Sequence, residues 1–252
     1  MVEQAAKPVL SGKIAVVTGG SSGIGAACVR TLAAEGATVV IGYNRGLDRA
    51  ESLRASLPDN GHLTVAIALE DSAAHAAVAD QLRGRFGHID VLINSAGYSQ
   101  RIAHKNLEAL DSALFNRMLL ANVGGPYSIT RALMPLLRAS ADAVVVNISS
   151  ISAFTGSGSN IAYCAAKAAL DTMTMSLARA LGPVRFLCVS PASVDTEFIP
   201  GRDREELEQK AAQTPVGRIV TPDDVARAAL ACVTHLRTAT GTRIVIDGGY
   251  QL

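Results

Sequence analysis

This chain lacks the features that direct a protein to a membrane or a nucleic acid. No apolar run reaches the ~18 residues of a bilayer span. Its 23 basic and 22 acidic residues leave a net charge of +1. That is too little for an electrostatic footprint on nucleic acid or lipid, so neither is expected as a partner. Residues 1–7 show neither the charged start nor the apolar core of a secretory signal, and a cytoplasmic location is expected. The four cysteines, Cys28, Cys164, Cys188 and Cys232, stand far apart without a Cys-x-x-Cys. In a reducing compartment they read as small buried hydrophobes. The histidines are equally scattered, so no metal site is expected. No repeat, linker or low-complexity tract divides the chain, and 252 residues suit one α/β domain.

What is present is an alternation of short apolar runs and helical patterns. Residues 13–18, 38–43, 63–69, 91–94, 143–148, 186–189 and 243–247 read as strands. Helical patterns follow Ile24 and span 49–57, 72–86, 110–137, 161–181 and 202–213, with a turn at Asn60-Gly61. Thr221-Pro222-Asp223-Asp224 opens another helix with a cap, a proline at the first position and two early acids. Such alternation argues for a parallel sheet covered on both faces. Residues 1–12 precede it as an extension.

The chemistry centres on residues 147–167. The fifth strand ends in Ser149-Ser150, a small-residue loop follows, and a long helix carries Tyr163 and Lys167, four apart and so on one face. A phenol, with a pKa of ~10, is a poor acid or base at neutral pH. An ammonium one turn away favours the phenolate. A Tyr so tuned can protonate a carbonyl oxygen or take a proton from an alcohol, and Ser150 can hold that oxygen by a hydrogen bond. Alone, such a pair decorates many solvated helices; the first third of the chain raises its weight.

There a strand runs into Gly19-Gly20-Ser21-Ser22-Gly23-Ile24-Gly25 and then a helix, the context a phosphate-binding loop requires. The end of the second strand, where an acid would bind the ribose of NAD, reads Tyr43-Asn44-Arg45. With no carboxylate and an available guanidinium, Arg45 points to the 2′-phosphate of NADP(H); NAD(H) is the alternative. Within 110–137, Asn122 precedes Gly124-Gly125-Pro126, which predicts a kink there with an amide able to bind water. The 161–181 helix is apolar on more than one face, which predicts the sheet on one side and a partner subunit on the other.

These residues resemble the short-chain dehydrogenases/reductases, including their 3-oxoacyl-ACP reductase-like branch, over nearly the whole chain. The markers are 18–25, Asn94-Ser95-Ala96-Gly97, Asn122, Ser150, Tyr163, Lys167, the 191–196 turn and Asp247-Gly248-Gly249. The resemblance implies a doubly wound Rossmann fold with a seven-stranded sheet in the order 3-2-1-4-5-6-7. It implies Tyr163 as acid/base, Ser150 as orienter, and Lys167 on the nicotinamide ribose. Asn122 would hold a relay water, and Val194 and Thr196 would contact the carboxamide. Gly19, Ser21, Ser22, Gly23, Ile24, Asn44, Arg45, Leu69, Asn94, Ala96, Gly97 and Pro191 complete the cofactor set. A homotetramer or homodimer is implied as well. Four positions depart from the family pattern. Ser95 stands where a second Asn is common, and Ala68 where an Asp meets the adenine, which shifts that contact to the Leu69 backbone. Ala192 replaces a glycine, and the 181–184 loop is about two residues short, with Leu187 where Asn is frequent.

The expected function is hydride transfer between NADP(H) and a ketone or secondary alcohol. A 3-oxoacyl-thioester reductase, an NAD-dependent alcohol dehydrogenase and a nicotinamide-sensing regulator without turnover are the alternatives. Substrate walls fall on 98–105, 152–160 and the flap at 196–213. Arg101, Lys105, Arg202 and Arg204 form a weak basic patch for an acyl carrier protein, diluted by Asp203, Glu205 and Glu206.

Overall fold

The computed structural model describes residues 8–58, 61–199, 201 and 203–252. Its strands are β1 (Ile14–Thr18), β2 (Thr38–Tyr43), β3 (Leu63–Ala66), β4 (Val91–Asn94), β5 (Val144–Ile148), β6 (Arg185–Pro191) and β7 (Thr242–Ile246). They pair in parallel, in the order β3-β2-β1-β4-β5-β6-β7. The helices are α1 (Gly23–Ala34), α2 (Leu47–Ser56), α3 (Ser72–Phe86), α4 (Ser112–Leu119), α5 (Gly125–Arg138), α6 (Ser152–Thr155), α7 (Ile161–Ala180), α8 (Arg204–Ala212) and α9 (Pro222–Thr234). The doubly wound sheet expected above is the one observed. Among the described residues no helix is long and apolar enough to cross a membrane.

Strand alternation explains why both faces are covered. Successive side chains point to opposite faces, and Val16 and Val17 join different cores. Val17, Val146 and Val189 pack with Ala27, Leu32, Val225 and Ala229 of α1 and α9. Val16, Val145 and Phe186 pack with Val78, Leu82, Ile129 and Leu133 of α3 and α5. With both faces of the central strands buried, most positions there are apolar, and the polar exceptions Asn94 and Asn147 are hydrogen-bonded to each other.

Apart from shifts of one or two residues at element ends, as in the sixth strand (Arg185–Pro191 for 186–189), the structure departs from expectation at three places. The third strand stops at Ala66 rather than 69, because the chain turns there: the Ala68 carbonyl accepts from the Asp71 N–H (3.1 Å) and from His75 Nε2 (3.0 Å). The single helix over 110–137 is α4 and α5 joined by a π-helical turn, Leu120–Gly124. A π turn widens the helix and is common at functional sites, and this one carries Asn122. A short helix, α6, occupies the start of the 152–160 loop. Residues 1–7 of the extension, Asn60 of the turn and Arg202 of the basic patch lie outside the described residues. Of the rest of the extension, Leu10 is buried and its N–H donates to the Glu35 carbonyl (2.8 Å).

Candidate active site

The winding reverses between β1 and β4, and ligands of such sheets bind outside the carboxyl ends of the strands at that point. A cleft of about 1650 Å³ opens there. It exceeds the ~300–1,000 Å³ of a single small-ligand pocket, and two reactants fit side by side.

The glycine loop after β1 forms one end. Gly19 has φ +64°, and a Cβ on it would lie 2.8 Å from Ala96 Cα. A Cβ on Gly25 would lie 2.2 Å from the Gly19 carbonyl oxygen. Neither position tolerates a side chain, so the loop stays thin and α1 starts close beneath it. Gly19, Ser21, Ser22, Gly23 and Ile24 all line the cleft. The N-cap of α1, Ser22, makes no side-chain cap bond, and the first turn carries no acid. By contrast α3, α4, α7, α8 and α9 are capped by Asp71, Asp111, Asn160, Asp203 and Thr221. An uncapped helix start in a cleft, with its positive dipole end, suits an anion.

Asn44, Arg45 and Leu69 continue this wall. Arg30 of α1 and Arg49 of α2 line it too, and no sequence motif had singled them out. Among the described residues none of these three arginines is in an ion pair, a state they share with Arg85, Arg117, Arg131, Arg138, Arg179 and Arg218.

The other end is built on α7. Asn160 caps it, with Oδ1 accepting from the Tyr163 N–H (2.8 Å) and Nδ2 donating to the Gln100 carbonyl (2.7 Å). An Asn just before a helical pattern is a readable cap signal, and here it aims the first turn that holds Tyr163. The Tyr163 ring lies 6.0 Å from that of Phe198. Lys167 Nζ is 5.5 Å from the Tyr163 ring centroid and donates to the Ile148 carbonyl (2.8 Å). Lys167 is 5% exposed, and burial pushes its ammonium down from the ordinary 10.5 to about 8, opposed in part by the Asp171 carboxylate. Ser150 follows β5; its Oγ accepts from the Ser152 N–H (3.1 Å) and donates to Ser152 Oγ (3.2 Å). Ser150, Tyr163 and Lys167 all line the cleft, with Ala96, Gly97, Pro191, Val194 and Thr196 around them.

Two expected site residues lie behind the wall. Asn122 is fully buried; its Nδ2 donates to the carbonyls of Tyr98 (2.7 Å) and Met118 (2.9 Å). Asn94 is 2% exposed, and its Nδ2 donates to Asn147 Oδ1 (2.8 Å) and Thr130 Oγ1 (3.1 Å). Asn147 Nδ2 in turn donates to Thr174 Oγ1 (2.8 Å). Asn94 thus braces β4, β5, α5 and α7 together instead of facing the cleft.

The helix α8 lines the cleft with Glu206, Leu207, Lys210 and Ala211. Arg101 Nη1 reaches Glu206 Oε2 (2.9 Å), tying α8 to the 98–105 loop. Arg204 is paired with Asp195 (2.6 Å) and Glu208 (3.1 Å). Two members of the basic patch are therefore neutralised.

Comparison with known proteins agrees with this geometry. A family model described as Enoyl-(Acyl carrier protein) reductase matches residues 19–251. The granaticin polyketide synthase putative ketoacyl reductase 2 of Streptomyces violaceoruber is 35% identical, over 95% of this chain and 96% of its own. A putative short-chain dehydrogenase/reductase from Burkholderia xenovorans superposes with a TM-score of 0.87 at 34% identity, covering 95% of this chain and 98% of its own. A short chain dehydrogenase from Burkholderia cenocepacia, solved with NADP, gives 0.84 at 30% identity over 96% and 99%.

Proposed function

The chain belongs to the short-chain dehydrogenases/reductases, and from that premise we propose that it transfers hydride between NADP(H) and a ketone or secondary alcohol, with Tyr163 as general acid/base. One observation carries this reading. Ser150, Tyr163 and Lys167 line the same cleft as the uncapped start of α1. Bound there, the dinucleotide supplies a hydride to the carbonyl carbon. Tyr163 protonates the oxygen, Ser150 holds that oxygen in place, and the Lys167 ammonium favours the phenolate that remains. Asn122 holds a water behind Lys167 that relays protons to solvent. Most of the rate comes from orienting the reactants and stabilising the oxyanion.

Arg45, with Arg30 and Arg49 beside it, supports the 2′-phosphate and hence NADP(H) over NAD(H); the NADP-bound Burkholderia cenocepacia relative is in keeping with this. The chain acts as one domain, with 196–213 as the flap over a small free carbonyl compound. Pairing of Arg101 and Arg204 with acids disfavours an acyl carrier protein, and the ketoacyl reductase relative keeps an acyl thioester as the second reading. Exposed Leu120, Tyr127, Ile161 and Met175 on the π turn, α5 and α7 fit a homotetramer or homodimer. The test is loss of 340 nm absorbance with NADPH against acyl thioesters, steroids, sugars and diketones. Turnover on one class supports the reading. Tight NADPH binding with no turnover on any would favour a nicotinamide-sensing protein instead.

A further inference from the structure

A buried carboxylate stands behind the cleft wall. Asp171, one turn beyond Lys167 on α7, is 8% exposed. Its Oδ1 accepts from Ser149 Oγ (2.6 Å), and Ser149 is the residue before Ser150. Ser149 Oγ also lies 3.5 Å from the Lys167 carbonyl oxygen. Arg243 of β7 brings Nη1 to 3.1 Å from Asp171 Oδ2, though not at a hydrogen-bonding angle. The Arg243 guanidinium sits 4.8 Å above the ring of Phe154, on the short helix that follows Ser150. Burying an ion pair brings little net stability, so the geometry points to a local role.

We propose that Asp171 is a positioning residue of the active site: it ties the Ser149–Ser150 strand end to the helix of Tyr163 and Lys167 and holds Lys167 as a cation, while Arg243 limits how strongly it does so. The proposal rests on the reading of Lys167 given above.

The charged and titratable groups around Lys167 come from several elements. Tyr163 and Asp171 come from its own helix. From β5 comes the Ile148 carbonyl, just beyond it the Ser149 hydroxyl, from β6 Cys188, and from β7 Arg243 through its contact with Asp171. Burial drives the Cys188 thiol far above the range in which Lys167 titrates, so it is uncharged there. That leaves Asp171 as the negative charge opposing the effect of burial on Lys167, with Arg243 partly cancelling it.

The test is a carbon-13 lysine NMR titration of the cofactor-free chain, with the Lys167 signal assigned by its loss in Lys167→Met. In Asp171→Asn the midpoint should fall by ~0.5–1 pH unit below its wild-type value. In Arg243→Gln it should rise by ~0.3–0.5 unit. Asp171→Glu should restore it, and the alkaline limb of kcat/KM should follow the same directions. A purely structural role would move both variants the same way or neither; either result overturns the proposal. Arg243, whose side chain is 40% exposed, keeps the test decisive should Asp171→Asn fold poorly. The midpoint is read without turnover, so a failed Tyr163 assignment and a failed Asp171 assignment are distinguishable.

Discussion

At the amino ends of the strands, Asp90 is 2% exposed and its carboxylate is fully used. Oδ2 accepts from the Ile14 N–H (2.9 Å), and Oδ1 accepts from Lys13 Nζ (2.9 Å) and Ser140 Oγ (2.7 Å). Burial alone would raise its carboxyl, but the bonds from Ser140, Ile14 and Lys13 hold it below the ordinary value. At the carboxyl ends, Lys167 is buried with only the Ile148 carbonyl as hydrogen-bond acceptor among the described residues. At the same end, Asn94 Oδ1, Ser190 Oγ and Asp247 Oδ2 are buried without a hydrogen-bond partner among the described residues. At the first end Asp90 has both oxygens engaged and fastens β1, β4 and the turn before β5 together, with Arg185 Nε at the start of β6 the exception, buried without a hydrogen-bond acceptor among the described residues. The second leaves polar groups under-satisfied, a cost that functional sites carry and packing elsewhere offsets.

The contrast is sharpest at Lys167. Lys167→Met is expected to lower kcat by ~10²-fold or more, yet to raise stability at pH 7 by about 1–3 kcal/mol, since an apolar group no longer carries the cost of burying an ammonium. The pH dependence has a definite sign. The native value of about 8 lies below the ordinary 10.5, so between them the unfolded chain binds more protons. Wild-type stability therefore gains from Lys167 as pH rises from about 8 toward 10.5, and the variant lacks that gain. Urea melts across this window check both statements.

Asp90→Ala should do the reverse. It leaves the Ile14 N–H and Lys13 without their acceptor and is expected to cost about 2–4 kcal/mol, with kcat/KM unchanged. The depressed Asp90 carboxyl contributes stability above the ordinary carboxylate range that is lost as pH falls through its native value. Loss of activity without loss of stability in this variant would break the division between the two ends. A smaller effect belongs to Arg45→Ala: KM for NADPH should rise ~10-fold, the scale of one charge-assisted hydrogen bond, with KM for NADH little changed. Equal or better kcat/KM with NADH in the wild type would remove the NADP preference.

Much of this was legible in the sequence for a physical reason. Strands buried on both faces are mostly apolar, so β1, β2, β4 and β5 were visible as apolar runs. Glycines forced by close approach, such as Gly19 and Gly25, mark the loop. Tyr163 and Lys167 share a face through helical period alone. What stayed hidden depends on tertiary contact. Arg30 and Arg49 join Arg45 only after α1 and α2 pack on the sheet. Asn94 looked like a cleft residue, and its register beside Asn147 turns it inward. Asp171 of α7 meets Arg243 only once β7 packs beside that helix. The π turn at Asn122 was foreseen only as a kink, because the Gly124-Gly125-Pro126 run weakens a helix without saying how it will rewind.

The most direct measurement is the turnover of Tyr163→Phe with NADPH and whichever carbonyl the wild type reduces, read beside NADPH binding and thermal stability. A fall in kcat of ~10²-fold or more, with the chain still folded and still binding NADPH, is the expected result. Turnover of the variant at the wild-type rate would contradict the assignment of the proton to Tyr163.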